Sequence, residues 1–170
     1  MMNLGQLWHS IQYSSLGVWL AESAWAFPTI ESIHVIAIVT VVGSIAVMDL
    51  RLLGITSRDY AVTVLSRDTL PWTWGAFVIA AITGSLLFTS KATSYMANPY
   101  FLIKICLLVL AGVNMAVFHV ITWRTVKEWD TTPMVPTGAK VAGALSLLLW
   151  IGVIFFGRAI GFTLGIYEGT

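Results

Sequence analysis

Apolar residues form four long runs along the chain, and short polar segments separate them. One run covers residues 30–53, and its centre, 35–48, contains no charged residue. About 20 mostly apolar residues are needed for an α-helix to cross the hydrocarbon core of a bilayer. The pattern therefore predicts four membrane-spanning helices, at about 30–53, 71–89, 99–123 and 139–162. We expect Pro71, after Thr69 as a cap, to open the second of them.

The first 28 residues show a different pattern. Apolar residues recur there at helical spacing, at Leu4, Leu7, Trp8 and Ile11. The pattern predicts one or two short amphipathic helices on the membrane surface, with Trp8, Trp19 and Trp25 as anchors. Since proline ends or begins helices, Pro28 separates an interfacial segment, 1–28, from a four-helix domain, 29–170.

The composition supports a membrane protein. The chain is 58% hydrophobic and 10% charged, with a mean hydropathy of +0.85, whereas soluble domains have about 25% charged residues. The predicted fold is all-α, an integral membrane four-helix bundle with an N-terminal interfacial amphipathic helix. The net charge of +1 offers a polyanion no attraction, so we expect the lipid bilayer and no nucleic acid as a partner.

Basic residues near the span ends predict the orientation. Those beside the first and third connections are Arg51, Arg58, Arg67, Arg124, Lys127 and Lys140, and the other side has Lys91. Cytoplasmic loops carry the excess of Lys and Arg. We therefore predict a multi-pass protein of the bacterial inner membrane, with both termini in the periplasm.

Two rows of small residues indicate close helix packing. They are Ala76, Ala80 and Gly84 in the second span, and Gly157, Gly161 and Gly165 at the end of the fourth. Small residues at a spacing of four let helices approach closely in lipid, within one chain or between two. A homo-oligomer is our expectation.

The ionisable residues inside the spans predict two polar layers. His34 and Asp49 lie 15 residues apart, as do Lys104 and His119. Fifteen residues return to within about 60° of the starting face, roughly 22 Å along a helix. We expect an outer layer of Glu31, His34, Lys104 and Arg158, and an inner layer of Asp49, Asn114 and His119. Asp49 and His119 should lie within hydrogen-bonding reach, directly or through water.

The outer layer predicts a haem site. Ionisable residues at membrane depth are functional candidates by default. Histidine ligates haem iron, and Lys104 and Arg158 could neutralise the two propionates. We therefore expect a haem b protein for electron transfer or a small redox reaction near the outer face, working with a redox partner or a quinone. The sixth ligand could come from His9, Met96 or His34 of a second copy.

Other interpretations remain open. Copper could replace haem, with Glu31 and His34 as ligands, and the spacing of these two residues also matches one half of a di-iron site. His119 could ligate a second cofactor, oriented by Asp49. A different class is a transport module in which Lys104 attracts an anion and Asp49 relays protons with His119. In a cofactor-free accessory subunit, Glu31 would pair with Lys104, and Asp49 with His119.

Several runs also resemble a known family, among them WAFPTIESIHVIAIVTVVGS, LPWTWGAFVIAAITGSLLF and NPYFLIKICLLVLAGVNMAVFH. They resemble small bacterial four-helix inner-membrane proteins of unknown function, over most of residues 25–160. The chain is more distantly similar to cytochrome b561-like and copper-resistance CopD-like membrane proteins. In the cytochrome b561 pattern, paired histidines on facing helices hold haem. Here His34 and His119 lie at opposite depths, which departs from that pattern.

Overall fold

The computed structural model describes residues 3–132 and 134–167, and every regular element among them is a helix. In chain order they are α1 (Leu4–Gln12), α2 (Ser15–Glu22), α3 (Ala26–Leu52), α4 (Val62–Ser90), α5 (Ala92–Ala97), α6 (Pro99–Val117), a π-helix (Phe118–Thr122), a 3-10 helix (Trp123–Thr125), α7 (Val126–Trp129), α8 (Thr137–Thr163) and a closing 3-10 turn (Leu164–Tyr167).

Four segments are long and apolar enough to cross a membrane, which confirms the predicted four-helix membrane architecture. They are Ala26–Leu52, Val62–Ser90, Pro99–Trp129 and Thr137–Tyr167. Only 11–28% of the residues in their most apolar stretches are buried inside the chain. The remaining apolar surface points outward, as helices surrounded by lipid require.

The bundle is built around α3, which packs against α4 on one side and α8 on the other, while α6 packs against α8. Close approach of α3 and α8 depends on Gly143. A Cβ added there would lie 3.2 Å from the Asp49 carbonyl oxygen and 3.3 Å from Leu52 Cβ. By contrast, α4 and α6 are not among the extensively packed pairs. The bundle is therefore least tightly closed along the side between α4 and α6.

The two ends of the bundle differ, and we name them by their residues. At the His34 end, α1 packs on α5 and α2 packs on α4. The Gln12 side-chain oxygen accepts from the Thr93 amide at 3.0 Å and from its hydroxyl at 2.6 Å. At the Arg51 end, Arg51 and the Val62 amide bond to the backbone of Asp130. Trp19 and Trp25 are exposed and Trp8 is half-buried, and their placement at lipid headgroups stays a prediction.

Helix α4 begins at Val62, so the prediction that the second span opens at Pro71 is wrong. Pro71 lies inside the helix, and the Thr69 hydroxyl donates to the Leu65 carbonyl at 2.9 Å instead of capping. The true start is capped from a distance, because the Val62 amide donates to the Asp130 carbonyl at 3.1 Å. Pro28 likewise lies in the first turn of α3, where a missing N–H costs nothing.

Candidate functional site

A cavity of about 250 Å³ lies inside the bundle, between α3, α4, α6 and α8. It occupies the half nearer the Arg51 end. Asp49, Asn114 and His119, the predicted inner layer, all lie on its wall. The wall also carries five aromatic side chains, Trp74, Phe77, Phe118, Trp123 and Trp150. The structure therefore brings the inner-layer residues together around one cavity, which we call the Asp49 cavity.

Asp49 is the unusual group on this wall. Its side chain is 6% exposed, and Oδ2 is the only buried side-chain oxygen or nitrogen without a hydrogen-bond partner among the described residues. The Ser146 hydroxyl interacts with the carboxyl group. A buried carboxylate oxygen without a donor is costly, so such groups in native proteins need an explanation. This oxygen is available to a bound molecule.

His119 lies on the same wall but bonds within its own helix. Its Nδ1 is 2.9 Å from the Met115 carbonyl oxygen. Since a carbonyl only accepts, Nδ1 carries the hydrogen, and Nε2 of the neutral ring is an acceptor. No direct hydrogen bond joins His119 to Asp49 in the described parts of the chain. The ring follows the switch from α6 to the π-helix, which re-aims side chains and is frequent at functional sites.

The other polar side chains on the wall mostly use their donors inside the bundle. The hydroxyls of Ser44 and Thr73 lie 2.8 Å apart and link α3 to α4. The Asn114 amide donates to the Ala142 carbonyl at 3.0 Å and links α6 to α8. These bonds hold the walls in place, and the buried Asp49 Oδ2 is left without a donor on the cavity wall.

The predicted outer layer is only partly assembled. His34 Nδ1 lies 2.9 Å from the Thr83 hydroxyl oxygen, and that hydroxyl donates its single hydrogen to the Ile79 carbonyl at 2.7 Å. When the Thr83 hydrogen lies on the Ile79 carbonyl, His34 Nδ1 is the donor to Thr83, and Nε2 of the neutral ring keeps a lone pair. The ring packs on Gly84, where an added Cβ would lie 3.0 Å from Cε1.

Lys104 joins His34, whereas Glu31 and Arg158 do not. The half-buried Lys104 side chain passes over Gly157 of α8 and is close enough to act electrostatically on His34. Within the described segments, its ammonium has no hydrogen bond or ion pair. Arg158 is exposed and lies 4.6 Å above the Phe162 ring. Glu31 is exposed and makes no ion pair with Lys104, so the pair expected for an accessory subunit is not formed.

No three His, Cys, Asp or Glu side chains come together as a metal site in residues 3–132 and 134–167. The three sequence-based metal candidates, Glu31, His34 and His119, do not share one centre. Sequence reasoning also missed Ser146 and the aromatic wall. The sequence did contain a signal for the polar side of the cavity, because Ser66, Thr69 and Thr73 recur at helical spacing on α4 and line it.

The family of the chain follows from a comparison of sequences. A model for a family of unknown function, DUF6644, matches residues 13–163. The chain belongs to DUF6644. The matched region includes both the Asp49 cavity and the His34 site, so both are parts of the DUF6644 domain. No curated protein and no solved structure matches the chain, and the likeness to cytochrome b561-like and CopD-like proteins receives no support from these comparisons.

Proposed function

We propose that this DUF6644 protein binds a small amphipathic molecule in the Asp49 cavity, within the membrane. One observation carries the proposal: a buried carboxylate oxygen without a donor lies on a wall that is otherwise largely apolar and aromatic. Ligand sites usually combine an apolar lining with a few polar groups that fix orientation. The apolar wall would hold the body of the ligand, and Asp49 would hold its polar group.

The ligand would enter from the bilayer, between α4 and α6. Trp74 and Phe77 of α4 line the cavity and are also 50% and 41% exposed on the helix surface. Met115 and His119 of α6 line the cavity and are exposed as well. Because α4 and α6 pack least closely, the gap between these residues supports a lateral route for a molecule dissolved in lipid.

Two matched glycine substitutions test this proposal. A Cβ at Gly112 or at Gly75 would meet nothing within 4 Å, but only Gly112 lines the cavity. Gly112→Leu should fill the cavity, whereas Gly75→Leu adds the same side chain away from it. Protein purified in mild detergent is extracted with solvent, and the small molecules retained are measured by mass spectrometry.

We expect wild type and Gly75→Leu to retain a compound that Gly112→Leu loses. Equal retention by all three proteins, or no retained compound beyond detergent and bulk lipid, would contradict the proposal. Size-exclusion profiles of the three proteins should coincide, which shows that loss of the compound does not reflect unfolding.

A second candidate is haem b at His34, as the sequence suggested. Two observations favour it. Nε2 of His34 keeps a lone pair when Nδ1 donates to Thr83, and the Lys104 ammonium, which has no hydrogen bond or ion pair among the described residues, lies near enough to His34 to suit a propionate. An electron-carrier function and the distant cytochrome b561 likeness belong to this candidate. Copper at His34 would leave Lys104 without a role. The haem candidate is tested by the visible spectra of oxidised and reduced protein purified from haem-replete cells.

The haem candidate makes a clear distinction between histidines. His34→Ala should abolish the Soret band, while His9→Ala should keep it, since His9 is exposed on α1 and stacks on Tyr13 at 4.3 Å. If wild-type protein shows no Soret band and no stoichiometric iron, this candidate is wrong, and the proposal for the Asp49 cavity is unaffected.

A further inference from the structure

We infer that the ligand of the Asp49 cavity is a small organic cation with a single positive charge and an apolar or aromatic body. This inference rests on the proposed function of the cavity and adds the chemical class of the ligand. Three features carry it: the charge of the wall, the hydrogen-bonding groups that remain available, and the aromatic side chains.

The wall carries one carboxylate and no lysine or arginine. Arg51, two residues from Asp49, is 1% exposed and bonded elsewhere. Its Nε donates to the Tyr60 carbonyl at 2.9 Å, and its Nη2 lies 3.4 Å from the Asp130 carbonyl oxygen. Asp49 therefore has no counter-ion among the described residues. A buried carboxylate without a partner is strongly unfavourable, and a bound cation would offset that cost.

Several hydroxyl and amide donors on the wall are already used inside the bundle. The hydroxyls of Thr69 and Thr73 donate to the carbonyls of Leu65 and Thr69. The single hydrogen of the Ser44 hydroxyl is shared between the Thr40 carbonyl and the Thr73 hydroxyl oxygen, and one hydrogen of the Asn114 amide is bonded to the Ala142 carbonyl of α8. Asp49 Oδ2 and Nε2 of His119 are acceptors to which no hydrogen bond is formed among the described residues. A cation would find these two acceptors, whereas an anion would meet the negative charge of Asp49.

Aromatic rings line the same cavity, and those of Phe118 and Trp123 lie 5.4 Å and 5.6 Å from the His119 ring. Phe118 and Trp150 are buried, at 8% and 7% exposure, and Trp123 is half-buried. The face of an aromatic ring attracts a cation within about 6 Å, and the attraction is stronger away from water. A carboxylate and several aromatic side chains on the wall of one cavity form a combination suited to quaternary and protonated amines. At about 250 Å³, the cavity lies just below the usual range for ligand pockets, about 300–1,000 Å³, so the ligand must be small.

A pair of isosteric probes tests the charge directly. Phenyltrimethylammonium and tert-butylbenzene have nearly the same shape, but only the first carries a positive charge. Purified protein in detergent is dialysed against phenyltrimethylammonium, and the bound amount is measured by mass spectrometry. tert-Butylbenzene is then added as a competitor. The proteins compared are wild type, Asp49→Asn, Gly112→Leu and Gly75→Leu.

We expect saturable binding to wild type and Gly75→Leu, and affinity at least tenfold lower for Asp49→Asn and for Gly112→Leu. tert-Butylbenzene should compete poorly at equal concentration. The inference is overturned if wild type shows no saturable binding, if Asp49→Asn binds as tightly, or if the neutral isostere competes equally. The isostere comparison needs only wild type, so it decides the question even if Asp49→Asn fails to fold.

The failure of this inference and that of the proposed function give different results. If a neutral compound binds wild type and is displaced in Gly112→Leu, the cavity is a binding site and only the charge assignment is wrong. If no compound responds to Gly112→Leu, the cavity is not a binding site and both statements fall.

Discussion

Asp130 caps the start of α4 through Thr63. Its Oδ1 accepts from the Thr63 amide at 2.8 Å, and its Oδ2 accepts from the Thr63 hydroxyl at 2.6 Å. The buried Arg51 guanidinium lies against the same loop and donates to the Asp130 backbone. Residues far apart in sequence are thus joined at the Arg51 end, and this joint holds α3 and α4 together next to the Asp49 cavity.

The first prediction concerns this cap and pH. Burial raises the pKa of Asp130, but its hydrogen bonds and a nearby positive charge lower the pKa by more. The hydrogen bonds come from the Thr63 hydroxyl and amide and from the Val62 amide, and the charge is that of Arg51. The net pKa therefore lies below the usual range. A carboxyl with a depressed pKa stabilises the fold above its unfolded pKa, and this stabilisation is lost as pH falls through the folded pKa. Asp130→Asn should therefore cost about 1 kcal/mol at pH 7, as helix-cap losses do, and less in acid.

Thermal unfolding in detergent, followed by tryptophan fluorescence at pH 7 and at acid pH, measures this difference. Asp68→Asn is the matched control, because Asp68 is 63% exposed and meets only Arg67, at 3.7 Å. The cap assignment fails if Asp130→Asn and Asp68→Asn lower the unfolding temperature equally at pH 7.

The second prediction concerns the contact between α3 and α8. Gly143→Ala places a Cβ 3.2 Å from the Asp49 carbonyl oxygen, so the two helices must move apart by a few tenths of an ångström. Overpacking of this kind costs about 1–3 kcal/mol. Gly75→Ala, whose Cβ meets nothing within 4 Å, should leave the unfolding temperature unchanged or raise it. Equal effects of the two substitutions would show that Gly143 is not a packing position.

How far the sequence predicts this molecule depends on the range of the interactions involved. Helical periodicity is local, and it predicted an inner layer of Asp49, Asn114 and His119. These three residues line one cavity, although no direct hydrogen bond joins Asp49 to His119 among the described residues. The start of α4 depends on Asp130, which is 67 residues away from Thr63 in sequence. The local pattern does not contain this contact, so it predicted the start of the helix at Pro71. The outer layer shows the same limit. Depth along a helix predicted that His34 and Lys104 meet, but rotation about the axis turned Glu31 and Arg158 outward.

The cavity itself depends on how whole helices pack, which no single run of residues encodes. It forms because α4 and α6 each pack on another helix and not extensively on each other. The α-helix also changes to a π-helix at Phe118. Neither feature has a distinctive sequence pattern, whereas the polar residues that line the cavity do.

The third prediction is the orientation in the membrane, which the basic residues favour. Thr56 and Ser10 are exposed at opposite ends of the bundle. In a Cys106→Ser background, Ser10→Cys should react with a membrane-impermeant maleimide on intact spheroplasts. Thr56→Cys should react only after permeabilisation, because its loop carries Arg58 and is expected in the cytoplasm. The reverse pattern would place the Asp49 cavity in the outer half of the membrane.

The last prediction concerns the bond between His34 and Thr83. With the Thr83 hydroxyl donating to the Ile79 carbonyl, we expect hydrogen on Nδ1 of His34 and a lone pair on Nε2. ¹⁵N NMR of histidine-labelled protein at neutral pH should show that tautomer for His34. Thr83→Val keeps the volume of the side chain but removes the acceptor, and leaving a buried donor unsatisfied costs about 1–3 kcal/mol. Thr89→Val is the control, since Thr89 is bonded only to the Ser85 carbonyl of its own helix.

A double-mutant cycle with His34→Ala and Thr83→Val separates this bond from other effects of each substitution. Residues in direct contact couple by about 0.5–3 kcal/mol, and we expect coupling in that range from thermal unfolding in detergent. Additive effects, or a spectrum with hydrogen on Nε2, would mean that Thr83 does not accept from His34. The lone pair on Nε2 would then be lost, and with it the main support for a haem ligand at this position.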